Sequence, residues 1–244
     1  MVEEMKPGTW VMKVAEVAQL TPEARALKVA LPAGLDLKYT PGQFCMLALP
    51  RKDDPSKSIQ RAYSLTSSPT RKGFLEFAFQ NEGEFTHLLW ELKKGDSITV
   101  KGPYGKFTFD ESDSRDRGFV SGGLGITPFI SAMRYASDKR LPHKLALVYS
   151  AKSDGELVYR KELEELAKQN KNLKLCFTVT RPETAPNWKG HTGRIDALFI
   201  QQSVPNWKKT VFMMCGPPGL IDACLAIFKQ LNLPDDQVRR EVWS

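Results

Sequence analysis

The sequence has few of the residues on which metal and nucleophilic chemistry usually depend. Its 244 residues include four cysteines and three histidines. No two cysteines lie in a CxxC or CxxxxC pattern, so neither a zinc site nor an iron–sulfur cluster is predicted. His87, His143 and His191 lie in no pattern typical of a catalytic triad or a metal site. We therefore expect no protein-bound metal.

Long apolar runs are also absent. No stretch approaches the ~20 apolar residues that a membrane-spanning helix needs. The first ten residues, MVEEMKPGTW, are polar and acidic and differ from a secretory signal. Hydrophobic residues make up 41% of the chain, which is enough for a sizeable core. We expect a globular, cytoplasmic protein without membrane insertion.

The formal net charge of +7 is spread over the sequence. Short basic groups occur at Lys93-Lys94, Lys139-Arg140 and Arg239-Arg240, and no single basic tract stands out. Nucleic-acid binding usually needs a basic patch or stripe, so we expect no nucleic-acid partner. An excess of positive charge can instead attract an anionic cofactor or an acidic protein.

The first half of the chain has the pattern of antiparallel strands. From about Thr9 to Val100, apolar and polar residues alternate with a period of two, and turns are marked by pairs such as Pro41-Gly42 and Gly95-Asp96. This pattern predicts a small β-barrel, interrupted by a short helix at about Thr86–Leu92. We assign residues 1–110 to this domain.

The second half has a different pattern. From about Gly118, short apolar strands alternate with helical segments, which predicts βαβ units on a Rossmann-like parallel sheet. One helix opens at Thr127-Pro128, where Thr suits the N-cap and Pro the first turn. The charged stretch Asp110–Arg117 has the character of a linker. We assign residues 111–244 to an α/β domain.

A glycine-rich segment joins the first strand of this α/β half to its first helix. Ser121–Pro128 reads SGGLGITP. Glycines allow the backbone to approach a pyrophosphate, and free N–H groups at a helix start favour an anion. Pro128 stands where the usual dinucleotide fingerprint has its third glycine, so a tight turn without a ligand is the alternative interpretation.

Two further motifs carry candidate chemistry. Arg61-Ala62-Tyr63-Ser64 could bind a phosphate, stack on a planar ring and hydrogen-bond the edge of that ring, although a strand aromatic often only packs. Cys215-Gly216-Pro217 follows an apolar strand, at the sheet edge where α/β folds bind ligands. The alternative for Cys215 is a buried small apolar residue.

In this order and setting, the three motifs resemble those of the ferredoxin–NADP⁺ reductase-like family. The similarity runs from about residue 9 to the end of the chain. The matching segments are RxYS at Arg61–Ser64, GGxGITP at Gly122–Pro128, CGP at Cys215–Pro217, a GxxS/T turn at Gly83–Thr86, PGQF at Pro41–Phe44 and GPYGKF at Gly102–Phe107.

The resemblance implies an FAD-binding barrel followed by an NAD(P)-binding domain. Tyr63 would stack on the flavin, Ser64 would hydrogen-bond the ring nitrogen that accepts hydride, and Arg61 would pair with the pyrophosphate. Cys215 would lie near the nicotinamide carbon that donates hydride, which makes Ser64 and Cys215 the candidate catalytic residues. The remaining cofactor-binding candidates are Ala62, Gly83, Glu84, Phe85, Thr86, Gly123, Gly125, Thr127, Pro128, Gly216, Pro217 and Trp243.

Two of these assignments remain open on the sequence. Trp243 could cover the other face of the flavin, but Ser244 follows it. Lys152 and Arg181 favour the 2′-phosphate of NADPH, whereas the nearby carboxylates Asp154 and Glu183 suit the free ribose of NADH. The donor is therefore given as NAD(P)H.

The function implied by the resemblance is electron transfer from NAD(P)H, through bound FAD, to a separate acceptor. The positive charge favours a small acidic ferredoxin or flavodoxin as that acceptor. One alternative is the reductase component of an oxygenase, or a reductase of free flavin or ferric complexes. Another is a non-catalytic, flavin-bearing subunit of a larger redox complex.

Overall fold

The computed structural model describes residues 7–241, which form two six-stranded sheets. The first sheet is antiparallel in every pairing. Helix α1 (Glu84–Glu91) follows its fifth strand in the chain. In spatial order the strands are β4 (Ser58–Ser64), β3 (Phe44–Pro50), β6 (Ser97–Tyr104), β1 (Gly8–Thr21), β2 (Ala24–Ala30) and β5 (Phe74–Gln80).

The first sheet curls into a barrel around an apolar core. Every strand contributes buried side chains to this core, among them Leu27, Leu47 and Phe77, and α1 adds Phe85 and Leu89. The two edges of the sheet meet just beyond β4, where the N–H of Thr66 donates to the carbonyl oxygen of Glu76 over 2.8 Å. Closure pairs the backbone groups that an open sheet edge would expose.

The second sheet is parallel throughout. In spatial order its strands are β10 (His191–Thr192), β9 (Leu173–Val179), β8 (Leu145–Ala151), β7 (Arg117–Gly122), β11 (Val211–Cys215) and β12 (Val238–Glu241). Its helices are α2 (Thr127–Asp138), α3 (Arg160–Gln169), α4 (Ala197–Ser203) and α5 (Pro218–Gln230).

Helices cover both faces of the parallel sheet. Side chains of α2 and α3, such as Phe129 and Leu163, share a core with one face, whereas Phe199 of α4 and Phe228 of α5 pack on the other. Burial on both faces explains why β7, β8 and β11 are nearly continuous apolar runs. The strand order reverses between β7 and β11, and a crevice at such a switch point is the usual ligand site of this architecture.

The predicted fold class, an antiparallel barrel followed by a Rossmann-like α/β domain, is confirmed. The structure adds β10, α4 and β12 to the predicted elements, and it starts α1 at Glu84, two residues before the predicted helix. The predicted capping role of Thr127 is wrong. Ile126 occupies the N-cap position, and the Thr127 hydroxyl donates to the Leu124 carbonyl over 2.9 Å.

The charged segment before β7 is a folded connection. The buried guanidinium of Arg117 donates to the carbonyl oxygens of Asp110 and Asp113, each over 3.0 Å, and also to that of Arg115. These bonds hold the segment on the start of the parallel sheet. The domain boundary after residue 110 stays a prediction. Within residues 7–241, no helix combines the length and apolar character needed to cross a membrane.

Candidate functional site

Arg61 and Tyr63 lie on the same face of β4, because side chains alternate along a strand. The Tyr63 ring is half-buried and its centroid lies 5.9 Å from that of Phe85 in α1. Ala62 is exposed and points to the opposite face. Ser64 ends the strand, is 7% exposed, and makes no side-chain hydrogen bond among the residues described. The motif therefore presents a cation, an aromatic ring and a free hydroxyl close together.

The start of α1 lies beside this strand and is suited to an anion. The Thr86 hydroxyl oxygen accepts the N–H groups of Glu82 and Gly83, each over 2.9 Å, which fixes the turn before the helix. The N–H groups of the first helical turn have no partner within a helix, so they can bind phosphate oxygens. A Cβ built at Gly83 would have no atom within 4 Å, so the approach to these groups is open.

Two arginines lie near the start of α1, and the sequence analysis missed one of them, Arg51. Arg61 is exposed, and within residues 7–241 its guanidinium donates only to the carbonyl of its neighbour Gln60, over 2.8 Å. Arg51, in the β3–β4 loop, lies 3.2 Å from the Glu84 carboxylate at the helix start and 2.9 Å from Asp53. Arg51 belongs to no recognisable motif, and only the fold brings it to this helix end.

The glycine loop and the Cys215 motif pack directly on each other. A Cβ on Gly125 would lie 2.0 Å from the carbonyl oxygen of Cys215 and 2.8 Å from the Cα of Gly216. Gly216 has φ +154, and a Cβ there would lie 3.0 Å from the N atom of Gly122. Only glycine permits these approaches, so the two motifs form one surface at the switch point between β7 and β11.

The start of α2 completes this surface. Gly123 has φ +55, and a Cβ there would have no atom within 4 Å, so the loop leaves open space on one side. Thr127 and Pro128 are buried in the first turn of α2, and Pro217 is exposed at the end of the Cys215 motif. A glycine loop with open space beside it, placed at a helix start, suits a pyrophosphate.

Cys215 is fully buried at the end of β11. Burial raises the pKa of its thiol, and the negative charge of Glu241 raises that pKa further. Glu241 lies opposite Cys215 in the register of β12, a relation that the sequence analysis missed because β12 was not predicted. Cys215 is therefore a neutral thiol packed in the apolar core, with no thiolate character for nucleophilic attack, and its burial favours the alternative interpretation of a small apolar residue.

Lys152 and Arg181 are neighbours at the carboxyl edge of the sheet. The N–H of Arg181 donates to the carbonyl oxygen of Lys152 over 2.9 Å, and both side chains are exposed. Neither forms an ion pair within the described part of the chain. Asp154, the carboxylate that could favour an unphosphorylated ribose, already lies 3.7 Å from Arg160.

The structure thus places the predicted residues in three groups. The first is the β4–α1 group on the barrel, the second the glycine-loop and Cys215 surface, and the third the Lys152–Arg181 pair. The last two groups share the carboxyl edge of the parallel sheet. Trp243 lies outside the described residues. Among residues 7–241, no group of three or more His, Cys, Asp or Glu side chains could hold a metal ion.

The donor sets fit the two cofactors implied by the sequence. FAD needs cationic and N–H donors for its pyrophosphate and an aromatic face for its ring, and Arg61, α1 and Tyr63 provide both. NAD(P)H needs a glycine cradle at a helix start, and the segment from Gly122 to Pro128 provides one.

Comparison with known proteins agrees with this fit. Residues 11–109 match the oxidoreductase FAD-binding domain and residues 119–225 match the oxidoreductase NAD-binding domain. The chain is 36% identical over 186 residues to the gamma subunit of sulfhydrogenase 1 of Pyrococcus furiosus, covering 75% of this chain and 60% of that subunit. It is 31% identical over 194 residues to a subunit of the Na⁺-translocating NADH-quinone reductase of Klebsiella pneumoniae, covering 73% and 47%.

These relatives are longer proteins, and the chain spans only about half to three fifths of their length. Solved structures share the fold over nearly the whole chain. The FAD/NAD-binding domain of Vibrio cholerae nitric oxide dioxygenase has a TM-score of 0.85 at 19% identity, covering 96% of this chain and 98% of that one. The ferredoxin NADP⁺ reductase of Neisseria gonorrhoeae has a TM-score of 0.78 at 20% identity, covering 96% and 98%. The chain belongs to the ferredoxin reductase family of FAD- and NAD(P)-binding oxidoreductases.

Proposed function

We propose that this protein oxidises NAD(P)H and passes the electrons, through bound FAD, to a separate redox protein, for which a small acidic ferredoxin or flavodoxin is the best candidate. The observation that carries the proposal is the direct packing of the glycine loop on Cys215, in the same molecule as the β4–α1 group. When bound, FAD supplies the hydride-accepting and single-electron chemistry.

On the barrel, the residues bind and orient the flavin. Arg61 and the first turn of α1 hold the pyrophosphate through charge-assisted and backbone hydrogen bonds. Tyr63 offers one face of its ring; burial raises the pKa of its hydroxyl, so the ring stays neutral. The Ser64 hydroxyl, which has no partner among the described residues, is free to hydrogen-bond the edge of the flavin.

In the α/β half, the residues bind and orient the nicotinamide nucleotide. Gly123, Gly125 and the start of α2 hold the pyrophosphate, and the nicotinamide lies at the exposed Pro217 end of the Cys215 motif, above the buried neutral thiol. Lys152 and Arg181, which form no ion pair among residues 7–241, offer two cations to a 2′-phosphate, so we propose NADPH as the preferred donor. NADH remains the donor named for the quinone reductase relative.

An anaerobic titration tests the cofactor part of the proposal. The purified chain, loaded with FAD, is titrated with NADPH and separately with NADH while its visible spectrum is recorded. We expect NADPH to bleach the flavin at lower concentration than NADH. A chain that takes up no FAD would contradict the assignment of the β4–α1 group. A bound flavin that neither nucleotide reduces would contradict the assignment of the glycine-loop and Cys215 surface.

Ionic strength tests the acceptor. The net charge of +7 should steer an acidic carrier toward the protein, so raising salt should slow the reduction of acidic ferredoxin or flavodoxin. Ferricyanide reduction, measured in parallel, reports electron transfer that does not depend on protein docking. Rapid reduction of free flavin or ferric complexes, with no preference for the acidic carriers, would favour the alternative reductase roles.

A second candidate function is the NAD(P)H-oxidising subunit of a larger redox complex. It is favoured by the two relatives described above, both of which are named as subunits. Turnover separates the two candidates. A chain that acts alone reduces its acceptor catalytically once isolated, whereas a subunit accumulates reduced flavin and turns over only when purified with its native partners.

A further inference from the structure

A buried polar cluster joins the barrel to helix α2, outside the three groups of candidate site residues. At its centre, Arg134 of α2 pairs with Glu76 of β5, with 2.7 Å between Nη1 and Oε1. The two side chains are only 5% and 6% exposed. Thr66 and Tyr159 donate their hydroxyls to the same carboxylate oxygen over 2.9 and 3.0 Å. With Glu162, these residues form what we call the interdomain cluster.

The charged side chains of the cluster have close hydrogen-bond and ion-pair partners, which keep Arg134 and Glu76 ionised. Burial alone would raise the pKa of Glu76, but the Arg134 charge and the surrounding hydrogen bonds leave that pKa below its usual value. Arg134 also donates to both carboxylate oxygens of Glu162 over 2.7 and 2.6 Å. A buried ion pair with this many bonds favours one arrangement of its partners, because a displaced charge would be left unsatisfied.

The cluster connects the two elements that carry the proposed cofactor sites. Arg134 donates to the carbonyl oxygen of Thr66 over 2.7 Å, and Ser131 donates to that of Ser67 over 2.6 Å. Thr66 follows the flavin motif, which ends at Ser64. Arg134 lies about two helical turns, or ~10 Å, beyond Thr127 at the start of α2. One helix thus holds the loop that follows the flavin motif near one end and the glycine loop at the other.

We propose that Arg134 and Glu76 are positioning residues that set how the nicotinamide and flavin sites face each other. This inference rests on the proposed function, because it concerns hydride transfer between the two sites. Hydride transfer needs its reacting atoms in near contact, and a misplacement of ~1 Å can cost about a hundredfold in rate. Neither side chain belongs to a nucleotide-binding group, so their loss should affect alignment more than affinity.

A purely structural role is the competing explanation, and a paired substitution separates the two. Arg134→Met alone leaves the buried carboxylate of Glu76 without its partner, so that variant can be unstable for that reason alone. Glu76→Gln alone leaves Arg134 paired with Glu162, so it removes only half of the ion-pair network. The double variant E76Q/R134M removes both charges at nearly constant volume. Glu162 is then left 32% exposed and near Arg71, at 3.5 Å. We expect this double variant to fold and bind FAD.

The decisive measurement is the rate of flavin reduction at saturating NAD(P)H in a stopped-flow instrument. In E76Q/R134M we expect this rate to fall at least about tenfold, with the half-saturating NAD(P)H concentration and the FAD dissociation constant within about threefold. The long-wavelength absorbance from nicotinamide stacked on flavin should weaken in parallel. Arg134→Lys keeps the charge but cannot bridge two carboxylates and a carbonyl, so its rate should be intermediate.

Arg25→Met is the matched control. Arg25 stacks on Trp90 and donates to the Trp90 carbonyl over 2.8 Å, entirely within the barrel. Its loss removes a partly buried guanidinium without touching the contact between the domains, so its reduction rate should equal that of the natural sequence.

Amide hydrogen exchange on the flavin-free chain gives a readout independent of activity. In E76Q/R134M, exchange should rise in residues 65–68 and at the start of α2, but not in the barrel strands β1 and β6. Unchanged exchange there, together with an unchanged reduction rate, would overturn the inference. Loss of FAD or NAD(P)H affinity in the double variant would also overturn it, by assigning the pair to binding. If the natural sequence itself showed no NAD(P)H-dependent reduction, the proposed function would fail instead.

Discussion

The two halves of the molecule present their binding groups in different ways. The barrel offers side chains: Arg61 and Tyr63 project from one face of β4, beside the start of α1 at Glu84. The α/β half offers mainly backbone: Gly125 packs so closely on Cys215 that no side chain fits between them. A side-chain site loses one interaction per substitution, whereas a close-packed backbone site has no room for any addition. The two sites should therefore fail differently when mutated.

The largest expected effect is that of Gly125→Ala. The added Cβ would lie 2.0 Å from the Cys215 carbonyl oxygen, and backbone cannot move aside as a flexible side chain can. We expect NAD(P)H-dependent flavin reduction to fall about a hundredfold or more, with a loss of about 1–3 kcal/mol in the free energy of unfolding. Stopped-flow reduction and denaturant unfolding measure the two effects.

Gly73→Ala is the control for backbone strain. Gly73 lies in a barrel turn with φ +91, and a Cβ there would have no atom within 4 Å. This variant should lose about 1 kcal/mol of stability and keep its reduction rate. Equal rate losses in the two variants would mean that the Gly125–Cys215 contact has no special role.

Arg61→Ala should have a graded effect on the barrel site. Loss of a charge-assisted hydrogen bond of about 1.5–3 kcal/mol predicts a rise of roughly 10- to 150-fold in the FAD dissociation constant, measured by fluorescence titration. Lys101→Ala is the matched control, because Lys101 points to the opposite face of the sheet, where its ammonium donates to the Gln60 side chain. If both variants raise the FAD dissociation constant equally, the effect of Arg61→Ala is a general loss of positive charge.

A smaller effect is expected at the edge of the nicotinamide site. Arg181→Glu places a carboxylate where we propose that a 2′-phosphate binds, so the KM for NADPH should rise about tenfold more than the KM for NADH. Steady-state kinetics with both nucleotides measure the difference. Lys171→Glu makes the same charge change in the loop before β9, at the other end of that strand, and should leave the ratio unchanged. An unchanged ratio in Arg181→Glu would remove the preference for NADPH.

The two halves also differ in how much of them the sequence could predict. The sequence predicts β7, β8 and β11 because strands buried on both faces are apolar runs. It also singles out Arg61 and Tyr63, because their motif lies within four consecutive residues. β10 has two residues and β12 reads VRRE, so neither has an apolar pattern. The interdomain cluster has no local signal at all: Arg134 and Glu76 are separated by 58 positions, and Tyr159 and Glu76 by 83. Sequence patterns predict elements and local motifs, whereas these buried polar contacts depend on how the elements pack.

The smallest expected effect concerns the segment between the two sheets. Hydrogen bonds from Arg115 and the charge of Arg117 lower the pKa of Asp113 to about 2, from an ordinary value of 3.8. Because the folded protein depresses this pKa, the ionised carboxylate stabilises the fold at neutral pH, and that contribution is lost as the pH falls through about 4 to 2. At about 1.4 kcal/mol per pKa unit, reduced by solvent screening, the contribution is about 1–2 kcal/mol.

Asp113→Asn should therefore lower the free energy of unfolding at pH 7 by that amount and flatten its acid dependence. Denaturant unfolding at several pH values measures both changes, with the exposed α5 carboxylate replaced in Asp222→Asn as the control. The Asp113 carboxylate pairs with Arg115 and Arg117, before and at the start of the parallel sheet, so the barrel and its FAD affinity should be unaffected. A matching loss of FAD affinity would mean that the segment before β7 transmits strain into the barrel, and that the two halves are less independent than their different binding surfaces suggest.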